Sequence, residues 1–185
     1  YAAGTAGAIE LVRFASGTQW DLSAMKARVS GEVGGDANDT LSGTAGADLL
    51  DGRAGADVMT GLAGDDVYFV GSNGDQVIEG SMSGSDSVIS TIEYSLPANV
   101  ERLQLAGSAP LRGFGNTLNN MLTGNGGANR LDGGAGSDTL SGGDGDDTYV
   151  VDGTGDVVIE QAGQGLDTVE SSISFTLPAN VENLW

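Results

Sequence analysis

From residue 39 onward, single apolar side chains recur at a fixed interval of nine residues. Leu41, Leu50, Met59, Tyr68 and Val77 form one series, and Leu122, Leu131, Leu140, Tyr149 and Val158 form a second. Two residues before each stands Asp or Asn: Asp39, Asp48, Asp57, Asp66 and Asp75, then Asn120, Asn129, Asp138, Asp147 and Asp156. A glycine opens most units, as at Gly34, Gly43, Gly52, Gly61, Gly115, Gly124, Gly133 and Gly142, so the unit reads GGxGxDxLx.

Six residues rich in Gly, Ala and Asp favour a turn, because glycine and short polar side chains accept positive φ and compete with regular structure. The remaining three, as in Thr139, Leu140 and Ser141, set one apolar side chain between small polar ones. That suits a short strand whose middle residue points inward. Two units close one flattened coil, and stacked coils lay strand n beside strand n+2 in a parallel ladder, roughly 4.8 Å apart. The pattern therefore predicts an all-β fold, a parallel β-helix solenoid with a narrow apolar interior and aspartates along both edges.

A longer period overlies the short one. Shifting the chain by 81 residues aligns 34–103 with 115–184 without a gap, and 35 of the 70 pairs are identical. Such internal identity marks a repeat architecture. It extends through the spacers: GDQVIE at 74–79 matches GDVVIE at 155–160, and IEYSLPANVERL at 92–103 matches ISFTLPANVENL at 173–184. Val88, Ile92, Tyr94 and Leu96 alternate with smaller or polar residues, which predicts an extended strand continuing the solenoid. Pro97 and Pro178 lack a backbone donor and belong at strand ends. Asp86 and Asp167, in GSDSV and GLDTV, stay open between ion ligands and turn residues.

Residues 1–33 lack the beat and hold Arg13, Lys26 and Arg28 of the seven basic side chains. Ile9 to Phe14, then Gln19 and Trp20, reads as a β-hairpin, and Asp21 or Ser23 caps a short helix through Val29. A solenoid end exposes open strand edges and an open core, so this segment is read as a cap. Three parts follow: the cap at 1–33, a first roll with its spacer at 34–103, and a second at 104–185.

The edges pose an electrostatic problem. Asp39 and Asp57, Asp48 and Asp66, or Asp138 and Asp156 stack one coil apart on one edge. At about 5 Å two negative charges repel by roughly 1 to 3 kcal/mol, for an effective dielectric of 80 down to 20. A cation between them reverses the sign. Carboxylates and outward backbone carbonyls are hard oxygen donors in a flexible setting, which suits calcium better than magnesium or a transition metal.

The segments GTAGADLLD, GRAGADVMT, GGAGSDTLS and GGDGDDTYV resemble the calcium-binding nonapeptides of the RTX, or repeats-in-toxin, proteins. The resemblance implies a right-handed parallel β-roll of two tandem segments with several bound calcium ions. It nominates Asp39, Asp48, Asp57, Asp66, Asp75, Asp138, Asp147 and Asp156 as ligands. Asn120 and Asn129 depart from the pattern, since an amide oxygen ligates without charge, and sites using them are expected to be weaker or empty. Ala37 and Leu118 replace glycine in the opening turn of each run. FASGTQWDL also resembles an element found upstream of RTX arrays. The family further implies type I secretion, with folding outside the cell on meeting calcium.

Composition narrows the setting. With 26 acidic and 7 basic side chains the formal charge is −19, which argues against nucleic acid or an anionic membrane as partner. There is no histidine and no cysteine, so transition-metal chemistry and disulfide rigidity are both disfavoured. No apolar run is long enough to span a membrane. With 32 glycines and few aromatics, the repeats are expected to be largely disordered without ions. Carboxylates that recur at every unit do not form the single irregular constellation of an active site, so an enzyme is not expected. The central residue of GSMSG at 80–84 is Met82, which removes any nucleophile there. The expected function is a secreted calcium-binding module that scaffolds neighbouring domains of a larger protein. The alternative is a module that binds polysaccharide or a cell surface; Tyr68 and Tyr149 point inward and Trp20 stands alone, so no aromatic platform supports it. The chain stops in mid-repeat at Asn183, Leu184 and Trp185, and is read as a fragment.

Overall fold

The computed structural model describes residues 11–13, 19–21, 30–81 and 83–185, with side chains from residue 31 onward. Every regular element among them is a strand of two to four residues. β1 (Leu11–Arg13) and β2 (Gln19–Asp21) pair antiparallel, as the hairpin reading expects. The helix expected through Val29 lies outside the described residues.

The rest is a parallel solenoid. One face is an eight-stranded sheet of β3 (Ser30–Val33), β5 (Asp48–Asp51), β7 (Val67–Val70), β9 (Ser87–Ser90), β11 (Arg102–Leu105), β13 (Met121–Thr123), β15 (Thr139–Ser141) and β17 (Val157–Val158). The other face starts as a three-stranded sheet of β4 (Thr40–Ser42), β6 (Val58–Thr60) and β8 (Gln76–Ile78). It resumes as six strands: β10 (Tyr94–Ser95), β12 (Arg112–Phe114), β14 (Arg130–Asp132), β16 (Thr148–Val151), β18 (Thr168–Ser171) and β19 (Asn183–Leu184). From β3 to β18 strand n pairs with strand n+2, except between β8 and β10, and β18 pairs with β19; Leu41 lies beside Met59, Leu50 beside Tyr68, and Leu122 beside Leu140.

One apolar cluster fills the interior. Leu50, Met59, Tyr68, Leu122, Leu131, Leu140 and Tyr149 are fully buried in it, and Val88, Val100, Leu103 and Leu105 carry it through the spacer between the runs. The spacer strand differs from expectation: it breaks into β9 and β10 at a corner. The buried Ser90 hydroxyl donates to the Ile92 carbonyl at 2.8 Å, and the Ile92 amide returns a bond to the same oxygen at 3.2 Å. A side chain that satisfies the backbone of a bend lets the chain change face without burying unpaired polar groups. Strand β10 ends at Ser95, before Pro97, as expected.

The 81-residue repeat acquires a three-dimensional meaning here. From β4 to its sequence counterpart β13 the chain takes nine strand steps, and strands alternate between faces. Nine is odd. Equivalent units of the two copies therefore lie on opposite faces: β4 belongs to the three-stranded sheet, and β13 to the eight-stranded one.

Turn geometry separates the units into two kinds. The second residue is left-handed in four of them: Arg53 (φ 65°), Leu62 (φ 81°), Gly134 (φ 77°) and Gly143 (φ 95°). For a residue with a Cβ this conformation costs about 1 to 2 kcal/mol, so glycine suits that position. Leu62 is about half exposed, so its packing offsets little of the strain.

Leu62→Gly is accordingly expected to raise stability by about 0.5 to 1 kcal/mol, measured by denaturant unfolding in excess calcium. In the same assay Leu131→Ala, at a fully buried ladder position, should cost about 2 to 5 kcal/mol, whereas Ile159→Ala, half exposed, should cost well under half as much. Equal losses would show that the narrow ladder does not hold the roll together.

Candidate metal sites

The residue at position six of each unit sits where the turn feeds into its strand. Its side chain lies along the edge and points toward the preceding coil. The backbone amide of one such residue donates to the Oδ1 of its counterpart 18 residues later. The bonds run from Asp39 to Asp57 (2.8 Å), Asp48 to Asp66 (2.7 Å) and Asp57 to Asp75 (3.2 Å). They recur from Asn120 to Asp138 (2.7 Å), Asn129 to Asp147 (2.6 Å) and Asp138 to Asp156 (3.1 Å). Bonds from a backbone amide to a carboxylate are charge-assisted and strong, so each column ties successive coils together. All ten repeat residues nominated from the sequence occupy these columns.

The spacers extend them. The Asp66 amide donates to Asp86 Oδ1 at 2.8 Å, and the Asp86 amide to Glu101 Oε2 at 2.8 Å. In the second copy the Asp147 amide donates to Asp167 Oδ1 at 2.9 Å, and the Asp167 amide to Glu182 Oε2 at 2.8 Å. Asp86 and Asp167 thus stand where a repeat aspartate would stand, both buried.

What distinguishes the units is the second carboxylate oxygen. Where position two is not left-handed, its amide turns back to the position-six side chain. Gly35 N donates to Asp39 at 2.6 Å, Thr44 N to Asp48 at 2.5 Å, Gly71 N to Asp75 at 3.1 Å and Asp152 N to Asp156 at 3.2 Å. Asn116 N and Asn125 N do the same for Asn120 and Asn129, both at 2.7 Å. Where position two is left-handed, that donor is turned away. The buried side-chain atoms left without a hydrogen-bond donor, among the described residues, are Asp57 Oδ2, Asp66 Oδ2, Asp138 Oδ2 and Asp147 Oδ2. These four belong to the units of Arg53, Leu62, Gly134 and Gly143.

An anionic oxygen buried without a partner costs far more than an exposed one. Among the described residues no cation pairs with these oxygens: the ion pairs there are Arg112–Glu93 and Arg130–Glu170. Burial, outweighing the bond from the Asp48 amide, pushes the Asp66 carboxyl up to about 6, with nearby Glu79 and Asp48 raising it further. Asp86 is likewise lifted to about 6 and Asp147 to about 7, and Asp138 and Asp167 are raised, burial being the largest cause each time. The donor set suits a hard divalent cation of calcium's size, since it is all oxygen, anionic and lacks nitrogen or sulfur.

Asn120 and Asn129 are satisfied differently. Each is buried, and the Asn120 amide nitrogen donates to the Val100 and Glu101 carbonyls at 3.2 and 3.3 Å, while that of Asn129 donates to the Leu111 carbonyl at 3.3 Å. A neutral amide that both donates and accepts fills the column position with hydrogen bonds.

Sequence reasoning assigned no role to four further carboxylates: Glu79, Glu101, Glu160 and Glu182. Carboxylate oxygens of Asp66, Glu79 and Asp86 lie within 4.8 Å of one another, as do those of Asp147, Glu160 and Asp167, all six residues buried. The Tyr68 hydroxyl donates to Glu79 Oε1 and the Tyr149 hydroxyl to Glu160 Oε1. Burial first, then these bonds, raise both phenol pKa values well above the usual range. The available signal was the identity of VIE and of ANVE across the 81-residue repeat.

The model of the RTX calcium-binding nonapeptide repeat, in four copies, matches residues 33–68 and again 114–149. No curated protein and no solved structure matches the chain. Both matched segments end at the tyrosine of a roll coil described above, and the chain thus carries two blocks of RTX calcium-binding nonapeptide repeats, folded as a parallel β-roll.

Proposed function

We infer that the chain is a calcium-dependent folding module, in which ions between successive turns neutralise the carboxylate columns and complete the β-roll. The observation that carries this reading is the set of four buried, donorless oxygens on Asp57, Asp66, Asp138 and Asp147, each in a turn whose left-handed second residue leaves it open. These four are the ligands favoured most. Asp39, Asp48, Asp75 and Asp156 contribute through the columns they share, although amides of their own turns already bond them. Asn120 and Asn129 begin the second run as neutral hydrogen-bonded turns, and ions there would be weakest.

The cellular role follows from the ion supply. Cytosolic calcium is scarce, and a chain of formal charge −19 with 32 glycines gains little from collapsing alone. Where calcium is millimolar, a site with a dissociation constant near 0.1 mM adds roughly 1.4 kcal/mol. Several such sites rival the whole stability of a domain. This fits export in an unfolded state by a type I route, folding outside the cell, and scaffolding of neighbouring domains in a longer protein. Among the described residues no helix is long and apolar enough to cross a membrane. The repeated, equivalent sites suit a structural module better than an enzyme.

Calcium titration of the metal-free chain, followed by circular dichroism, should show β-structure appearing cooperatively between sub-millimolar and millimolar ion; a chain already folded and indifferent to calcium would sink the reading. Asp57→Asn and Asp138→Asn should each raise the calcium midpoint, with a loss of about 1.4 kcal/mol or more in 1 mM calcium. Asp39→Asn should shift it less, because the Gly35 amide already serves that side chain. Equal shifts at Asp39 and Asp57 would refute the distinction between open and closed turns.

A further inference from the structure

The two acidic triads at the junctions of repeat and spacer differ from the repeat turns in composition. Asp66 comes from the turn before β7, Glu79 from the end of the strand β8 on the opposite face, and Asp86 from the turn before β9. The coil joining Asp66 to Asp86 is 20 residues long, against 18 within the run, and so is the coil from Asp147 to Asp167. The two extra residues make room for a glutamate to reach the edge.

We propose that each spacer builds a divalent-cation site of its own, held by Asp66, Glu79 and Asp86 in the first block and by Asp147, Glu160 and Asp167 in the second. This extends the calcium reading of the repeats to residues outside both matched segments.

Several independent features converge on it. Asp66 Oδ2 and Asp147 Oδ2 are buried, on residues only 1% exposed, and no donor reaches them. Around Gly61 three oxygens crowd one point: a Cβ there would collide with Asp66 Oδ2, Tyr68 Oη and Glu79 Oε1 together. At Gly142 it would collide with Asp147 Oδ2 and Tyr149 Oη. The donorless oxygen is thus aimed at the glutamate and the phenol. The tyrosine hydroxyl has a single proton, and it is committed to the glutamate, so the aspartate must find its partner elsewhere. The glutamates are also held from behind. Asn99 Nδ2 donates to the Glu79 carbonyl and Asn180 Nδ2 to the Glu160 carbonyl, both at 3.0 Å, from left-handed asparagines of the two PAN turns.

The arrangement repeats on opposite faces of the solenoid, since β7 and β9 belong to the eight-stranded sheet whereas β16 and β18 belong to the six-stranded one. The strand environments differ, so the side chains themselves specify the cluster. Three carboxylates and no nitrogen or sulfur select a hard cation of flexible coordination, which makes calcium the ligand by chemistry. Such an ion would clamp the longer spacer coil to the last repeat coil and keep the column in register.

The full-length chain carrying Glu79→Gln and Glu160→Gln should bind two fewer calcium ions than the parent, counted by equilibrium dialysis and atomic emission. Asp57→Asn with Asp138→Asn serves as the control for the repeat sites. An unchanged count in the glutamine variant beside a reduced count in the control overturns the spacer sites and leaves the repeat reading intact; no bound calcium in the parent overturns both. Terbium emission excited through tyrosine provides a second readout that does not depend on the glutamine variant. Tyr68→Phe with Tyr149→Phe should remove most of that emission at an unchanged ion count, and emission as strong as in the parent would overturn the placement beside Glu79 and Glu160.

Discussion

Burial of carboxylates along two edges is the constraint on which the rest of this structure depends. The side chains of Asp57, Asp66, Asp75, Asp138, Asp147 and Asp156 must lie close to the coil below, because the Oδ1 of each receives that coil's amide, and this bond aligns one turn over the next. The same placement strips water from the second oxygen. Narrow apolar ladders stack coils without fixing their register firmly, whereas a directional charge-assisted bond does fix it. Register and ion demand therefore arise from a single contact, and a fold of this kind acquires its need for cations by the way it stacks.

The local backbone decides how that demand is met. When residue two of a turn stays out of the left-handed region, its amide closes on the position-six side chain, and the turn is self-sufficient. When it enters that region, the oxygen is left open. Glycine at position two makes the open state inexpensive in Gly134 and Gly143, while Arg53 and Leu62 reach it under strain. Strain at a binding site is a common companion of function, and here it coincides with the donorless oxygens.

Asn120 and Asn129 show the complementary solution. An amide replaces a carboxylate where a column passes beside spacer carbonyls, so hydrogen bonds do the joining. The first run thus passes from closed carboxylate turns, and the second from neutral turns, to open turns, and at the last open turn of each a glutamate and a tyrosine add further oxygens. The odd number of strand steps between copies distributes this gradation over both edges of the roll.

Much of the fold was legible in the sequence because it is local and periodic. Position eight is inward in every unit, as Leu50, Tyr68, Leu140 and Tyr149 show, and Asp39 stacks with Asp57 as the spacing of 18 required. A period of nine with one apolar residue admits one economical packing, so the chain alone determined an all-β parallel solenoid with acidic edges. It did not determine the corner at Ser90, which splits the expected spacer strand, because alternation looks the same on either side of a bend. Nor did it reveal Glu79 and Glu160. They stand 13 residues after Asp66 and Asp147, off the nine-residue beat, and reach the edge from the opposite face. Only the tertiary structure brought them to Asp66 and Asp147, and only it separated open turns from closed ones, since that difference lies in one backbone φ angle set by how each coil rests on its neighbour.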